Sequence, residues 1–359
     1  MKINNIIIYS TTLYIHFLFL GLILFFFSTA KLNAKAFEVE NIEISKPFEI
    51  NFDKNEIIDQ GFKKAFSKLI LLLVNTTDQK KIKEVQLNEI KGMIESFSIR
   101  EEKFIDDIYY VNLGVSFNKK NIFNFLERKN IFPAIPNKKK FLFIPIIIDE
   151  NTKDLNLFSK NKIFKEWNTL VQDYHLIEYI LPTEDLEDIK LIKSNYELIE
   201  KYNFKEITDK YFLKDSIIAL IFINKDEVRI LSRITVNEDV ILKNLSFKNV
   251  DIDNTKNLES IINQLKNFYE DYWKKTNQIN TSIKLPLTIQ INMLDKLKIT
   301  QLEKTLFETD LIYDFHILKL NKNFIFYEII FNGSPNIFLK LMRDRGLEFD
   351  TQNKVWIVK

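Results

Sequence analysis

Few side chains of the chemically versatile types occur in this sequence. There is no cysteine, and the only histidines beyond the apolar N-terminal stretch are His175 and His316. Without cysteine the chain can form no disulfide, thiolate nucleophile or cysteine metal site. Each histidine stands among apolar and aromatic neighbours, so we expect both to be structural side chains rather than metal ligands or general bases.

Adjacent acidic residues are the other candidates for chemistry, because paired carboxyl groups can act as general acid and base. Four such pairs occur: Glu101-Glu102, Asp106-Asp107, Asp149-Glu150 and Glu184-Asp185. Neighbouring side chains in a strand or helix point in different directions, and all four pairs fall at the ends of predicted elements. We therefore expect solvated surfaces here rather than a catalytic carboxylate pair.

Binding loops for nucleotides, metals or phosphates are not predicted either. The five glycines beyond the N-terminal stretch are too far apart to form a phosphate-binding loop. Residues 251–254 (Asp-Ile-Asp-Asn) begin like a calcium loop, but Lys256 stands where such a loop requires glycine. Lys138-Lys139-Lys140 is typical of a solvated linker. The sequence thus predicts no catalytic, cofactor-binding or metal-binding residue, and no cofactor.

The overall composition is that of a globular protein with a sizeable core. Hydrophobic residues make up 46% of the chain and charged residues 28%. Three of the 51 basic residues and none of the 49 acidic residues lie in the first 36 positions. The remainder is therefore nearly neutral, and a nearly neutral body has no general attraction for nucleic acid. We expect no nucleic-acid partner.

The N-terminal segment carries the clearest signal. No residue from Ile3 to Ala30 is charged, and Leu13 to Phe27 is almost wholly apolar. As a helix, with a rise of about 1.5 Å per residue, this segment could cross a hydrocarbon core of roughly 30 Å. We therefore predict that residues 3–30 engage a membrane, at least transiently. Residues 34–36 (Ala-Lys-Ala) offer a cleavage pattern. The expected product is periplasmic, either soluble after signal cleavage near Ala36 or anchored in the inner membrane by its N-terminal helix.

Periodicity beyond this leader, residues 1–36, predicts an α+β and α/β multidomain fold. Residues 37–136 combine strands and helices in an N-terminal α+β domain. Residues 137–280 form an α/β domain, which opens with the continuous apolar run Phe141 to Ile148, typical of a strand covered on both faces. Residues 281–359 follow the order βαββαβ, that of a ferredoxin-like unit.

Smaller elements of the middle domain are also predicted. Helices are expected at residues 184–192 and 196–202. Three strands are expected at residues 216–223, 228–236 and 240–247, followed by a helix that carries Ile261, Leu265 and Trp273. The helix is expected to end at the polar stretch from Lys274 to Ser282.

Several segments resemble a known protein family. The segments are Phe37-Glu38-Val39, Gly61 to Phe66, Ser96 to Lys103, Tyr109 to Leu113, Phe143-Ile144-Pro145, Leu157-Phe158 and Asn161 to Trp167. They resemble the periplasmic family catalogued as domain of unknown function 2066, over most of the chain beyond the leader. The resemblance implies a place in the cell envelope and no known activity, so it brings no catalytic residues. Lys162 and Ile163 depart from the family, in which a Pro-Trp pair is typical here.

These patterns favour a non-catalytic exported protein of the bacterial cell envelope. We expect it to bind unknown envelope proteins or to help an assembly. Residues 281–359 are the expected contact domain, because small βαββαβ units more often serve interaction than catalysis, although a fold alone does not determine function. Two alternatives stay open: an envelope hydrolase that uses acidic residues, and a carrier of a small apolar ligand.

Overall fold

The computed structural model describes residues 37–50, 52–82, 84–170, 175–225 and 227–359. The predicted leader therefore lies outside the described residues. The described part contains ten α-helices and three β-sheets, which confirms the predicted mixed α+β and α/β fold class. Residues Val39–Lys359 form one compact unit. Among the residues that the structure describes, no helix is both long enough and apolar enough to span a membrane.

The elements are numbered in chain order. The strands are β1 Glu38–Pro47, β2 Ile94–Ile105, β3 Ile108–Phe117, β4 Lys139–Asp149, β5 Asp154–Asn156, β6 Ile177–Ile180, β7 Ser216–Asn224, β8 Glu227–Val236, β9 Asp239–Lys248, β10 Leu285–Asn292, β11 Ile312–Leu320, β12 Phe324–Phe331, β13 Phe349–Asp350 and β14 Val355–Val358. The α-helices are α1 Lys54–Leu73, α2 Thr76–Gln79, α3 Leu87–Lys91, α4 Lys119–Arg128, α5 Lys162–Glu166, α6 Leu186–Ser194, α7 Lys205–Thr208, α8 Thr255–Thr276, α9 Lys296–Glu308 and α10 Pro335–Arg343.

The N-terminal sheet has the strand order β1-β3-β2 and packs against α1. Asp53 begins α1 by accepting the backbone N–H of Asn55 at 2.8 Å, and the apolar side chains on one face of the helix are buried. A Cβ at Gly61 would lie 2.3 Å from Leu113 Cδ1 in β3, so glycine permits the close approach of helix and sheet. Strand β2 is the exposed edge.

The middle sheet has the order β5-β4-β7-β8-β9, and β6 pairs with β4. Strand β4 runs parallel to both β6 and β7, and residues 141–148 are all buried, as expected for a strand covered on both faces. One hydrophobic cluster lies under α8 and includes Phe143, Trp167 and Tyr269. A second cluster lies on the opposite face under α6 and α7 and includes Ile192 and Phe204.

Pro145 lies within β4, where a proline would normally remove a ladder hydrogen bond. On the edge of β4 away from β7, β6 pairs with residues 139–142 and β5 with residues 147–149, so Pro145 falls between the two. The fully buried Asn161 donates its Nδ2–H to the Pro145 carbonyl at 3.0 Å and accepts the Phe164 N–H at 3.0 Å, which begins α5. The proline is tolerated because it stands at a gap in the sheet.

The C-terminal sheet has the order β11-β12-β10-β14-β13, and helices α9 and α10 bury their apolar faces in its core. The predicted βαββαβ order is present, and Gly346, with φ of 77°, follows the last helix. One difference is the two-residue strand β13, which forms a hairpin with β14. As a result β14 runs parallel to β10, whereas the last strand of a ferredoxin-like unit runs antiparallel to the first.

Candidate functional site

The first acidic pair lies on β2, and its two carboxylates have different partners. Glu102 accepts hydrogen bonds from Lys54 Nζ at 2.7 Å and from the Tyr109 hydroxyl at 2.9 Å. These two bonds, that from Lys54 first, hold the pKa of Glu102 below its ordinary value. Glu101 pairs with Lys103 at 3.1 Å. In the register with β3 the two glutamates face opposite sides of the sheet.

The other acidic pairs form turns and helix caps. Asp106 and Asp107 make the β2–β3 turn, with φ of 49° and 57°. Asp149 accepts the backbone N–H groups of the two turn residues that follow Glu150, and these bonds lower its pKa. Asp185 caps α6 and pairs with Lys210 at 2.9 Å. Each pair is thus held in its own local structure.

The remaining predicted candidates also have local partners. His316 on β11 pairs with Glu328 on β12 at 3.2 Å, and the two occupy opposite positions across the strands. Asp251 accepts the backbone N–H of Asp253, which in turn pairs with Lys162. Over the described ranges, no group of three or more histidine or acidic side chains is arranged to hold a metal ion.

Two lysines of the basic run stand at the start of β4 and form ion pairs. Lys139 pairs at 2.6 Å with Asp215, a buried carboxylate that also accepts the Asn237 N–H. Lys140 pairs at 3.1 Å with Glu178 on the neighbouring strand β6. The basic run therefore pins the start of β4 to its neighbours.

The most unusual polar residues were not predicted, and they lie on α8. Lys266, Glu270 and Lys274 recur every fourth residue on one helix face, and each is no more than 3% exposed. Fully buried charges are rare unless they are paired. The sequence signal for their burial is that they recur at helical spacing next to the apolar residues of α8. Charged residues with this spacing are normally assigned to the solvated face of a helix.

Two of these residues hold the chain between α5 and β6. Lys266 Nζ donates to the backbone carbonyls of Trp167 at 2.6 Å and Leu170 at 2.7 Å. The Glu270 carboxylate accepts the backbone N–H groups of residues 176–177 at 3.0 and 2.7 Å. Charge-assisted bonds of this kind are roughly twice as strong as neutral ones. The helix thereby fixes both ends of this connection.

The C-terminal end of α8 joins the middle sheet to the N-terminal helix. Lys274 Nζ donates to the carbonyl of Leu71 in the last turn of α1, where a cation also suits the helix dipole. The neighbouring Asp271 accepts both the backbone N–H and the hydroxyl of Thr76, at the start of α2. These bonds therefore connect α8 to α1 and α2, which lie far earlier in the chain.

Several pKa values around this cluster are shifted by burial. Burial lowers the pKa of Lys266 to about 8, and Glu270 opposes the shift. Burial raises the pKa of Glu270, and the two backbone N–H groups oppose that shift. The pKa of His175 falls to about 4 because of burial and the nearby Lys266 and Lys274. Shifted pKa values often mark active sites, but here the charged atoms of α8 are bonded to backbone groups and position the chain.

Three open cavities lie elsewhere in the described part of the structure. The largest of the three, about 430 Å³, lies beside the end of β4, and a second of about 340 Å³ lies on the N-terminal sheet. The third, also about 340 Å³, lies beside β13. Five charged side chains line the largest, namely Glu150, Lys153, Glu197, Glu200 and Lys201. Apolar ligands favour cavities lined mainly by hydrophobic side chains, whereas charged side chains form a large part of this lining.

The clearest exposed apolar surface lies at one end of the C-terminal sheet. We call it the β11 patch; its side chains are between 46 and 87% exposed and belong to Leu294, Leu297, Ile317, Leu318 and Leu320. Strand β11 is the edge of the sheet, and a hydrogen bond of 2.8 Å from Met293 N to Asn323 O ties the β10–α9 loop to the β11–β12 turn. The loop and strand parts of the patch thus lie at the same end of the sheet.

Positive charge surrounds the β11 patch. The two segments that form it, residues 294–298 and 316–322, contain four lysines and one acidic residue, Asp295. Asp295 is paired with Lys298 at 3.3 Å. The patch therefore combines a strand edge that has no further β-strand partner in the described part of the structure, exposed aliphatic side chains and a net positive rim.

No protein-family model matches this chain, and no curated protein matches it.

Proposed function

We propose that this protein is an exported, non-catalytic protein of the bacterial cell envelope that binds another envelope protein through the β11 patch. The observation that carries the proposal is the row of exposed aliphatic side chains on the unpaired edge of β11. Soluble proteins seldom leave such an edge both free and apolar unless another chain covers it. The apolar segment of residues 3–30 and the family resemblance support the envelope location.

The chemistry of the β11 edge favours an extended segment as the bound element. An edge strand offers backbone N–H and C=O groups that a second strand can satisfy, while alternate side chains enter neighbouring pockets. The lysines around the patch favour a segment that carries acidic residues between its apolar ones. The bound protein is therefore expected to present an acidic, apolar strand.

The test compares binding by a patch variant and a surface control. Leu318→Asp with Leu320→Asp changes the patch, whereas Leu186→Asp changes an exposed leucine on α6. Each full-length chain, tagged at its C terminus, is captured from crosslinked cells, and the captured proteins are quantified. We expect one envelope protein to be lost with the patch variant and retained with the α6 control. Equal recovery with both variants contradicts the proposal.

Two further measurements address location and catalysis. Fractionation should place the protein in the periplasm or inner membrane, and an intact chain dissolved in the cytosol would contradict export. Alanine replacement of each acidic pair, and of His175 and His316, should leave complementation of a deletion strain intact, because the proposed function uses no catalytic group. Loss of complementation by a variant that folds normally would favour a hydrolase instead.

A further inference from the structure

A second exposed edge lies on the N-terminal sheet, far along the chain from the β11 patch. Strand β2 spans Ile94–Ile105, and every residue after Ile94 is exposed. It pairs with β3 on one side only. The exposed residues include four large apolar side chains, those of Phe97, Ile99, Phe104 and Ile105.

A β-bulge at Arg100 changes which way the two halves of β2 face. Ile99 lies opposite Leu113 of β3 and Glu101 lies opposite Asn112, so Arg100 is the extra residue. Side chains alternate along a strand, and the extra residue shifts this alternation by one. As a consequence Phe97 and Ile99 before the bulge share a face with Glu102 and Phe104 after it.

The bulge makes β2 self-complementary. If two copies pair edge to edge in antiparallel orientation about a two-fold axis, one register places residues of the same face opposite each other along the whole strand. The opposed pairs in that register are Phe97 with Phe104, Ser98 with Lys103, Ile99 with Glu102, and Arg100 with Glu101. Registers displaced by one residue place side chains of opposite faces against each other, which strands avoid.

Charge and aromatic contacts favour the same register. Each Arg100 would face Glu101 of the second copy, and each Phe97 would face Phe104, which are favourable cross-strand pairs. Within its own chain Arg100 bonds Glu40 at 2.5 Å on an exposed surface, where ion pairs contribute little stability. Because this internal pair contributes little, Arg100 can leave Glu40 for Glu101 of the second copy at little cost in stability.

We propose that two copies of this chain associate through antiparallel pairing of their β2 edges, which joins the two three-stranded sheets into one sheet of six strands. The interface is isologous, as two-fold symmetry requires. A single pair of strands buries less surface than a standard stable interface, so the association is weak and depends on concentration or on confinement at a membrane. The dimer uses β2, which belongs to a different sheet from β11, so it does not occupy the β11 patch.

Engineered cysteines test this register directly, because the chain contains no cysteine of its own. Directly opposed residues in an antiparallel pair have Cα atoms about 4.5–5.5 Å apart, a separation that a disulfide can bridge. The variant Ser98→Cys with Lys103→Cys places the two thiols opposite each other across the two-fold axis. Within one chain these positions are roughly 16 Å apart along the strand, so no internal disulfide can form.

The controls are the two single variants and the pair Ser96→Cys with Lys103→Cys, in which the thiols share a face but are two residues away from the opposed position. The full-length chain is oxidised mildly, both in cells and in detergent solution, and separated by non-reducing electrophoresis. We expect a covalent dimer from the 98/103 variant at a level at least several times that of every control. A yield no higher than that of the 96/103 control overturns the proposal.

Sedimentation of the cysteine-free chain gives an independent measurement. We expect the apparent mass to rise towards that of a dimer with increasing concentration, and Phe97→Asp to weaken this rise because a carboxylate would then face the Phe104 ring. A chain that stays monomeric over the whole range, together with absent crosslinking, overturns the proposal. These results do not depend on the proposed function: they are expected even if no envelope protein binds the β11 patch.

Discussion

The buried carboxylate of Glu270 should contribute strongly to the stability of the fold around the middle sheet. In Glu270→Gln one side-chain oxygen remains an acceptor, while the other becomes an NH₂ group that meets a backbone N–H of residues 176–177. A buried N–H left unpaired costs about 1–3 kcal/mol, and removing one member of a buried charge set costs about 3–5 kcal/mol. Because Lys266 and Lys274 keep their carbonyl partners, we expect a loss of about 2–4 kcal/mol.

Urea-induced unfolding measures this effect, because Trp167 and Trp273 belong to the core cluster beneath α8 and report its loss by fluorescence. The matched control is Glu259→Gln, an exposed position on the same helix, for which we expect a change within about 0.5 kcal/mol. If Glu270→Gln unfolds at the same urea concentration as the unaltered chain, the carboxylate does not hold the α5–β6 connection, and the reasoning is wrong.

Two further substitutions test other parts of the interior. The folded chain keeps His175 neutral down to a pKa of about 4, whereas the unfolded chain takes up the proton near 6.5, so stability should fall as pH drops from 6.5 to 4. His175→Gln should flatten this part of a plot of unfolding free energy against pH. Gly61→Ala should destabilise by about 1–2 kcal/mol in thermal unfolding, because the overlap with Leu113 outweighs the gain in helix propensity; an equal or higher midpoint would refute the packing argument.

The sequence predicted those elements whose pattern depends on burial. The run Phe141 to Ile148 could only be a strand covered on both faces, and the structure confirms it as β4. The helix with Ile261, Leu265 and Trp273 is confirmed within α8. Short elements escaped prediction, because three-residue β5 and two-residue β13 contain too few positions for any period to appear. Part of the helix predicted at residues 196–202 is instead a 3₁₀ turn, Tyr196–Leu198.

The polar interior could not be predicted for a different reason. Charged residues at helical spacing normally face water, and the burial of Lys266, Glu270 and Lys274 was not predicted. Their burial depends on backbone groups of α1 and of the α5–β6 connection, which only the tertiary fold brings near α8. The predicted domain boundaries at residues 136 and 280 and the predicted leader stay predictions.

The long reach of α8 has a consequence for the order in which the chain becomes complete during synthesis. Lys274 lies 203 residues after Leu71, and Asp271 lies 195 residues after Thr76. A nascent chain that has emerged only as far as α4 contains the N-terminal sheet and α1. It still lacks Lys274 and Asp271, the side chains that bond to the end of α1 and the start of α2. Truncated fragments that stop before residue 270 should consequently be cut by proteases near residues 71–76, while the finished polypeptide resists cleavage there.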